Sequence, residues 1–381
     1  MSADDSADVV VVGAGPAGCA AGVTLARAGL RVTVLDRARF PRPKTCGDAL
    51  SSRAVDTARA LGADLDSAPS ASFRRSRVVF PDGAEVTRDD HAHAGLIMGR
   101  TQLDALLVDA LRRSGATVRE GVNVREAVRD NGRVTGVRDA TSTFSARAVI
   151  AADGPGSIAW SLVDAPKPRG RFLAVSATAY VTGVPGPTPD DCNEHFFERE
   201  LPCGYGWIFP SVEGVRNVGV YQRIDAYGET HVSLSKALEG FFARHADRFA
   251  GHARVGSIRT WQLPLSDPRV AGGVPGLLAV GDAGRHVDPL SGEGIWQALR
   301  SGVIAAEVTI AALQRGALDD DAVRRYRRRA LREIDAAATV RGVIQDAMRF
   351  AIDRAWYQSR AAKAFLQWGY GRGSLDASRR G

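Results

Sequence analysis

The sequence predicts an α/β protein, with a Rossmann-type nucleotide-binding domain, an inserted β-rich domain and a C-terminal helical segment. Three observations carry that prediction. Val9–Val12, Ala148–Ala152 and Gly276–Val280 are wholly apolar runs, the character of central parallel strands buried on both faces. The first runs straight into Gly13-Ala-Gly-Pro-Ala-Gly18 and then a helix-period segment. Between the second and third runs, from Arg171 to about Gln262, the pattern changes to successive short strands. The nucleotide-binding domain is therefore discontinuous: residues 1–65, 99–165 and 270–315. Residues 66–98 and 166–269 form the β-rich substrate domain, and 316–381 the helical segment.

Taken in order, Val9–Val12 is the first strand, and Ala20, Ala21, Val23, Leu25 and Ala26 form the apolar face of the first helix, which Gly29 closes. Arg31–Leu35 is a second strand ending in Asp36. Each glycine of the G-x-G-x-x-G pattern has a task. Gly13 permits a tight turn, Gly15 lets backbone approach a pyrophosphate, and Gly18 lets helix and strand pack closely. Pro16 and Ala17 open the helix, whose N-terminal N–H groups and positive dipole end suit phosphates. Asp36, 18 positions past Gly18, stands where a carboxylate binds a ribose 2′-OH. That acid suits FAD or NAD and repels the extra phosphate of NADP.

The prolines of Arg37–Leu50 deny that stretch regular structure, so it is expected as a loop over the cofactor. Ser51–Leu61 reads as a helix capped by Ser51 or Ser52. Val78–Phe80, Pro81-Asp82-Gly83 and Ala84–Thr87 read as a hairpin. Leu103, Leu106, Leu107, Ala110 and Leu111 mark an amphipathic helix that stops at Gly115. Short strands are expected at Val118, Val122–Val124 and Val134–Val137. In the β-rich part they fall at Phe172–Val181, Glu194–Phe197, Gly206–Phe209 and Asn217–Tyr221, with a helix near Ser233–Arg244. From Asp319 the chain is helical. Three strand ends, at Gly13–Gly18, Asp153-Gly154 and Gly281-Asp282, belong at one site, because ligands of open α/β sheets bind beyond the carboxyl ends of strands.

The 381 residues, 45% of them hydrophobic and 24% charged, are ordinary for a soluble globular protein of about two domains. No apolar run reaches the roughly 20 residues of a membrane span, and the start does not resemble a signal peptide, so a cytoplasmic location is expected. Cys19, Cys46, Cys192 and Cys203 have neither C-x-x-C nor metal spacing, which points to free thiols in a reducing compartment. His91 and His93 read as surface residues rather than metal ligands, and no metal is expected. The net charge of +7 is carried by arginine, and the basic residues lack the aromatic interleaving of a nucleic-acid surface.

The chain resembles FAD-dependent members of the para-hydroxybenzoate hydroxylase superfamily, and within it most of all the geranylgeranyl reductase family. The resemblance rests on Gly13–Gly18, Lys44-Thr-Cys-Gly-Asp48, Arg100 ahead of Leu103-Asp104, Asp153-Gly154, Gly204-Tyr-Gly-Trp-Ile-Phe-Pro210 and Gly281-Asp-Ala followed by Asp288-Pro-Leu-Ser-Gly-Glu-Gly-Ile295. It implies a glutathione-reductase-like FAD-binding domain in which Asp282 holds the ribityl chain and Arg100 lies near ribityl and pyrophosphate. Arg37, Lys44, Cys46 and Gly47 belong to the covering loop, and Gly292, Glu293, Gly294 and Ile295 start a helix facing the flavin. That positive helix end favours the anion formed when flavin takes a hydride. Two departures stand out: Ile158-Ala-Trp160 where many hydroxylases have an arginine, and Gly284-Arg-His286 where the reductases have small or apolar residues.

Tyr205, Trp207 and Phe209 alternate on a strand and so share a face, an aromatic wall suited to an apolar substrate. Cys46, Tyr205 and His286 are the candidate proton donors. The expected activity is reduction of carbon–carbon double bonds in a polyprenyl or other apolar substrate by hydride from reduced flavin. Electrons would come from NAD(P)H or another external donor, since no second glycine fingerprint occurs. The alternative is a flavin-dependent monooxygenase or other tailoring oxidoreductase of secondary metabolism. The aromatic and arginine-rich tail, Phe350–Tyr370, is compatible with peripheral membrane contact.

Overall fold

A computed structural model describes residues 7–88, 94–163, 167–185, 191–230, 232–270 and 272–359. His91, His93 and the tail aromatics from Phe365 to Tyr370 lie outside the described residues. The first part of the chain forms β1 (Ala7–Val12), α1 (Pro16–Arg27), β2 (Val32–Asp36), β3 (Ala49–Leu50), α2 (Ser52–Ala60), β4 (Ala71–Phe73), β5 (Arg75–Val79), β6 (Glu85–Arg88) and β7 (Gly95–Ile97). Then come α3 (Arg100–Arg113), β8 (Thr117–Glu120), β9 (Glu126–Asp130), β10 (Arg133–Arg138), β11 (Thr143–Ala151), β12 (Leu173–Thr182), β13 (Cys192–Phe196), β14 (Gly204–Ile208) and β15 (Arg216–Arg223). The remainder comprises α4 (Ile224–Thr230), α5 (Leu234–Arg244), β16 (Ala253–Pro264), β17 (Gly273–Val274), β18 (Leu277–Ala279), α6 (Ile295–Gln314), α7 (Asp320–Ala330) and α8 (Ala336–Asp353).

The three apolar runs meet in one sheet of order β17-β18-β11-β1-β2-β8, in which β18, β11, β1, β2 and β8 are mutually parallel. Their lack of alternation has a direct cause. Val9, Val11, Ala148, Ile150, Leu278 and Val280 pack under α1, α3 and α6. Val10, Val12, Val149, Ala151, Leu277 and Ala279 pack on the opposite face with Val134, Val137 and Phe144 of the β9–β10–β11 ribbon. Helices α1 and α6 approach closely: a Cβ on Gly302 would lie 2.3 Å from the Ala17 carbonyl oxygen.

The second sheet runs β16-β12-β15-β14-β13-β5-β6. One face is covered by α5, whose Leu238, Phe241 and Phe242 meet Val175, Ala177, Ile208, Val218 and Val220. The other carries Tyr205, Trp207, Phe209 and Tyr221. A three-stranded sheet, β3-β7-β4, joins the segment before residue 65 to the one after it. The stretch at Val122–Val124, expected as a strand, is irregular. Gly121, at φ 78°, turns the chain there, and Val122 N–H donates to the Asp36 carbonyl instead of continuing a ladder. Helix α4, which the sequence pattern did not signal, follows β15 directly.

Helices α7 and α8 are continuous through a π-helical segment, Leu331–Asp335. This arm is tied back by Arg223 to Asp346 (2.7 Å) and by Gln345 Nε2 donating to the Cys203 carbonyl (3.0 Å). No helix among the described residues is long and apolar enough to cross a membrane.

Candidate active site

A cavity of about 1270 Å³ runs from Asp36, across the ends of β1, β11 and β18, to the aromatic face of β14. That exceeds the usual 300–1,000 Å³ of a small-ligand pocket, leaving room for a dinucleotide and a second reactant. At the β1 end of the cavity the three glycines of the loop have different surroundings. A Cβ on Gly13 would lie 2.4 Å from the Ala152 oxygen, and one on Gly18 only 1.8 Å from the Gly13 oxygen. At Gly15 nothing lies closer than 3.8 Å. The space beside Gly15 is an open cradle on the cavity wall. Gly15 also caps α1 without a side-chain bond, leaving first-turn N–H groups available to an anion. Asp36 lines the cavity, buried, with one carboxylate oxygen accepting from Ala14 N–H (2.7 Å) and the other from Ala38 N–H (2.8 Å). It therefore holds the glycine loop from the cavity wall.

Arg37, Lys44, Cys46 and Gly47 all line the cavity from the covering loop. Lys44 Nζ sits 4.3 Å from the Trp261 ring centre, and burial, then the Arg100 charge, lower its pKa. Arg100, in the first turn of α3, is gripped by both oxygens of Asp104 at 2.8 Å each. Burial opposes its charge, but Asp104 more than offsets this and its pKa is raised. Arg42 reaches the same carboxylate at 3.2 Å.

Asn217 of β15 stitches the loop to the second sheet. Its Nδ2 donates to the Cys46 carbonyl and to Asp48 Oδ2, each at 2.8 Å, while its Oδ1 accepts from Trp207 Nε1 at 2.9 Å. Tyr180 also donates to Asp48 Oδ2 (2.5 Å). Burial raises the Asp48 pKa to about 6, against the hydrogen bonds from Tyr180 and Asn217.

On the far side, Tyr205, Trp207 and Phe209 line the cavity on one face of β14, and Trp207 and Phe209 stack with ring centres 5.9 Å apart. Tyr205 donates its hydroxyl to the Ser291 carbonyl, and burial raises its pKa, keeping it a phenol. Tyr221 donates similarly to the Pro289 carbonyl (2.7 Å). The segment Gly292–Ile295 thus rests on the aromatic wall before entering α6. Asp282, Gly292, Glu293, Gly294 and Ile295 line this end. Asp288 Oδ1 accepts from the N–H groups of Leu290 (3.0 Å) and Ser291 (2.9 Å), and its Oδ2 meets Arg341 of α8 at 2.5 Å.

Not every candidate faces this space. His286 does not line the cavity. Its Nδ1 lies 3.1 Å from Asp335 and its Nε2 3.1 Å from the Tyr326 hydroxyl, so it fastens the helical arm to the β18 turn. Arg285, φ 59°, is also turned away, buried with its guanidinium 5.4 Å from the Trp160 ring centre. The expected change beside the flavin therefore becomes a change in the packing behind it. Asp153 and Gly154 line the cavity, but the Asp153 carboxylate accepts from Ser157 Oγ and from Ile158 N–H (2.9 Å), capping a local turn. Burial raises its pKa.

Sequence reasoning singled out neither Asp48 nor His195. Asp48 stood inside a quoted motif, and its φ of 65°, rare for a non-glycine residue, was invisible beforehand. His195 joins the wall from β13, edge-on to Tyr205 and Phe209, and burial lowers its pKa to about 4, so it is neutral at physiological pH. Strand alternation with Asn193 was the one available signal.

An open cradle at Gly15, the starts of α1 and α6, both without a side-chain cap, and the buried Asp36 carboxylate fit FAD. The fold and site define an FAD-dependent oxidoreductase. The FAD binding domain family model matches residues 6–340. Digeranylgeranylglycerophospholipid reductase 1 of Methanopyrus kandleri is 33% identical over 84% of this chain and 85% of its own. Menaquinone reductase of Mycobacterium tuberculosis is 33% identical over 81% of this chain and 78% of its own. A geranylgeranyl bacteriochlorophyll reductase-like structure from Thermoplasma acidophilum shares the fold at TM-score 0.81 and 24% identity, covering 92% of this chain and 90% of that one. The myxobacterial chondrochloren halogenase shares it at TM-score 0.78 and 22% identity, with 98% and 91% covered. The chain belongs to the FAD-dependent geranylgeranyl reductase family.

Proposed function

We propose that this protein saturates carbon–carbon double bonds in the polyprenyl chain of a lipid or quinone. One observation carries the reading: the aromatic wall Tyr205-Trp207-Phe209 and the flavin-facing segment Asp282–Ile295 border the same cavity and touch through the Tyr205–Ser291 hydrogen bond. The two relatives named for such lipids and quinones support the same substrate class.

Reduced FAD supplies the hydride when bound. The chain's own residues supply position and dryness, which an unactivated alkene needs most. Gly13–Ala17, Asp36, Arg37 and Arg100 hold the nucleotide side, Asp282 the polyol, and the start of α6 the flavin edge. Trp207 and Phe209 flank the prenyl chain, with Gly47 packed against both rings (a Cβ there would lie 3.2 Å from Phe209) and Lys44 and Cys46 lining the cavity beside them. Cys46 and Tyr205 border this space as candidate proton sources. Electrons arrive from NAD(P)H or another visiting donor.

Exposed Val340, Val343, Phe350 and Trp356 around α8, with Arg354 stacked 3.9 Å from the Phe350 ring centre, support peripheral membrane contact, which co-sedimentation with anionic vesicles tests. The function is tested by mixing anaerobically reduced protein with isoprenoid alkenes of graded length. Reoxidation with a saturated product is expected. A product that carries oxygen from labelled O₂ would instead establish the monooxygenase.

A further inference from the structure

We propose that Asp48 is the proton store of the cavity: its carboxylic acid, held from behind by Tyr180 and Asn217, donates the proton that completes saturation of the double bond. The inference rests on the reductase reading above.

The geometry is specific. Asp48 is only 2% exposed, yet it lines the cavity between Gly47 and Ala49. Its two oxygens are unequal. Oδ2 accepts from Tyr180 at 2.5 Å and from Asn217 at 2.8 Å, whereas Oδ1 makes no side-chain hydrogen bond, the Arg100 backbone N–H being the other group that favours the charged carboxylate. A buried carboxylate oxygen this poorly satisfied is the oxygen on which the acid form carries its proton. The backbone holds Asp48 at φ 65°, a conformation that costs a non-glycine residue energy and persists only where surroundings impose it. Here they do: Asp48 C=O accepts from Met98 N–H at 2.9 Å, and Asn217 pins the Cys46 carbonyl two residues earlier.

The same Asn217 receives Trp207 Nε1–H, so the acid and the wall that would flatten the alkene share one anchor. The ionisable groups that act on Asp48 are Tyr180 from β12 and Arg100 from α3, with Cys46 of the same loop acting on Tyr180. Arg100 favours the carboxylate, but burial outweighs it, and a pKa near 6 suits an acid that must both give and regain a proton at neutral pH.

In the step, hydride from two-electron-reduced flavin forms a C–H bond at one alkene carbon as the π bond breaks. The π electron pair takes the Asp48 proton at the neighbouring carbon, breaking the O–H bond. The alkene is reduced, the flavin oxidised, and Asp48 is left as a carboxylate that Tyr180 and Asn217 stabilise until solvent returns the proton.

The test has two readouts. Infrared titration of the flavin-free protein should show one carboxylic acid ionising near pH 6, absent in Asp48→Asn. Its midpoint should move upward in Tyr180→Phe, because the lost hydrogen bond stabilised the charged form. In alkene-driven reoxidation of the reduced holoenzyme, Asp48→Asn should be slower by about 100-fold, the low end for a missing general acid, with flavin content unchanged. Wild-type rates should fall as pH rises through the same midpoint, and in Tyr180→Phe that fall should shift to higher pH with the infrared midpoint. No titration near pH 6 in wild type overturns the proposal, even if Asp48→Asn does not fold. An alkene-competent wild type whose Asp48→Asn variant is unimpaired overturns the proposal alone. Failure of wild type with every alkene removes the reductase reading and the donor step together.

Discussion

Two alanines three residues apart separate the cofactor's role for the glycine loop from its folding role. In Gly18→Ala the new Cβ would stand 1.8 Å from the Gly13 oxygen and 2.9 Å from its carbonyl carbon, both backbone atoms that no rotamer change moves. Strand β1 and helix α1 must separate, and overpacking of that kind costs about 1–3 kcal/mol or more. In Gly15→Ala the nearest atom is the far end of Arg42, at 3.8 Å, and the backbone at φ −76° already suits alanine. The cost to the flavin-free protein is then limited to a poorer helix cap, about 1 kcal/mol. The added methyl instead occupies the approach to the pyrophosphate. Thermal unfolding of the flavin-free variants, with FAD titration by fluorescence quenching, checks both. Gly18→Ala should lower the Tm by several degrees. Gly15→Ala should nearly keep the Tm yet weaken FAD binding by at least about tenfold, the equivalent of one lost charge-assisted hydrogen bond. A Gly15→Ala protein that binds FAD as tightly as wild type would refute this placement of the pyrophosphate.

Asp282→Ala should loosen FAD by about 10- to 100-fold, the worth of a hydrogen bond to a charged group, measured by equilibrium dialysis; unchanged retention counts against its place on the ribityl chain. Trp207→Ala should cost about 3–5 kcal/mol in denaturant unfolding, since the ring packs on Gly219, and should abolish alkene turnover while the folded fraction stays yellow. His286→Ala should lose about 2 kcal/mol of stability by stripping partners from Asp335 and Tyr326, with turnover kept; loss of turnover at full stability would return it to the chemistry. Asp48 gives a pH dependence whose sign follows from its raised pKa. The folded state binds the proton more tightly than the unfolded one, so this contribution is full below about pH 4 and is lost as pH rises through about 6. At about 1.4 kcal/mol per unit the loss is about 3 kcal/mol, and Asp48→Asn should not show it in unfolding curves from pH 4 to 8.

Local patterns account for what was legible. The run Val9–Val12 needs no partner to be read as a buried strand, because four consecutive apolar side chains cannot alternate between core and water. The Gly13–Gly18 spacing and the acid at 36 are likewise set by a single βαβ unit, and the cap at Ser51 by its own helix start, where Ser51 accepts from the N–H three residues on. The shared face of Tyr205, Trp207 and Phe209 follows from strand alternation alone. His286 was misjudged because sequence shows that a histidine follows a cofactor motif but not which way its ring turns. That direction is decided by Asp335 and Tyr326, 49 and 40 residues away.

The sequence by itself determined a parallel nucleotide-binding sheet, an FAD-type glycine loop and a strand with one aromatic face. Each of these is encoded within a few turns or one strand of chain. Only the tertiary structure decided that Asn217 joins Cys46, Asp48 and Trp207, that Tyr180 reaches Asp48 across 132 residues, and that His286 faces away. Such facts depend on which strands neighbour one another in the second sheet and how it docks on the first. Burial then tunes the chemistry, raising the Asp48 pKa from its ordinary value to about 6.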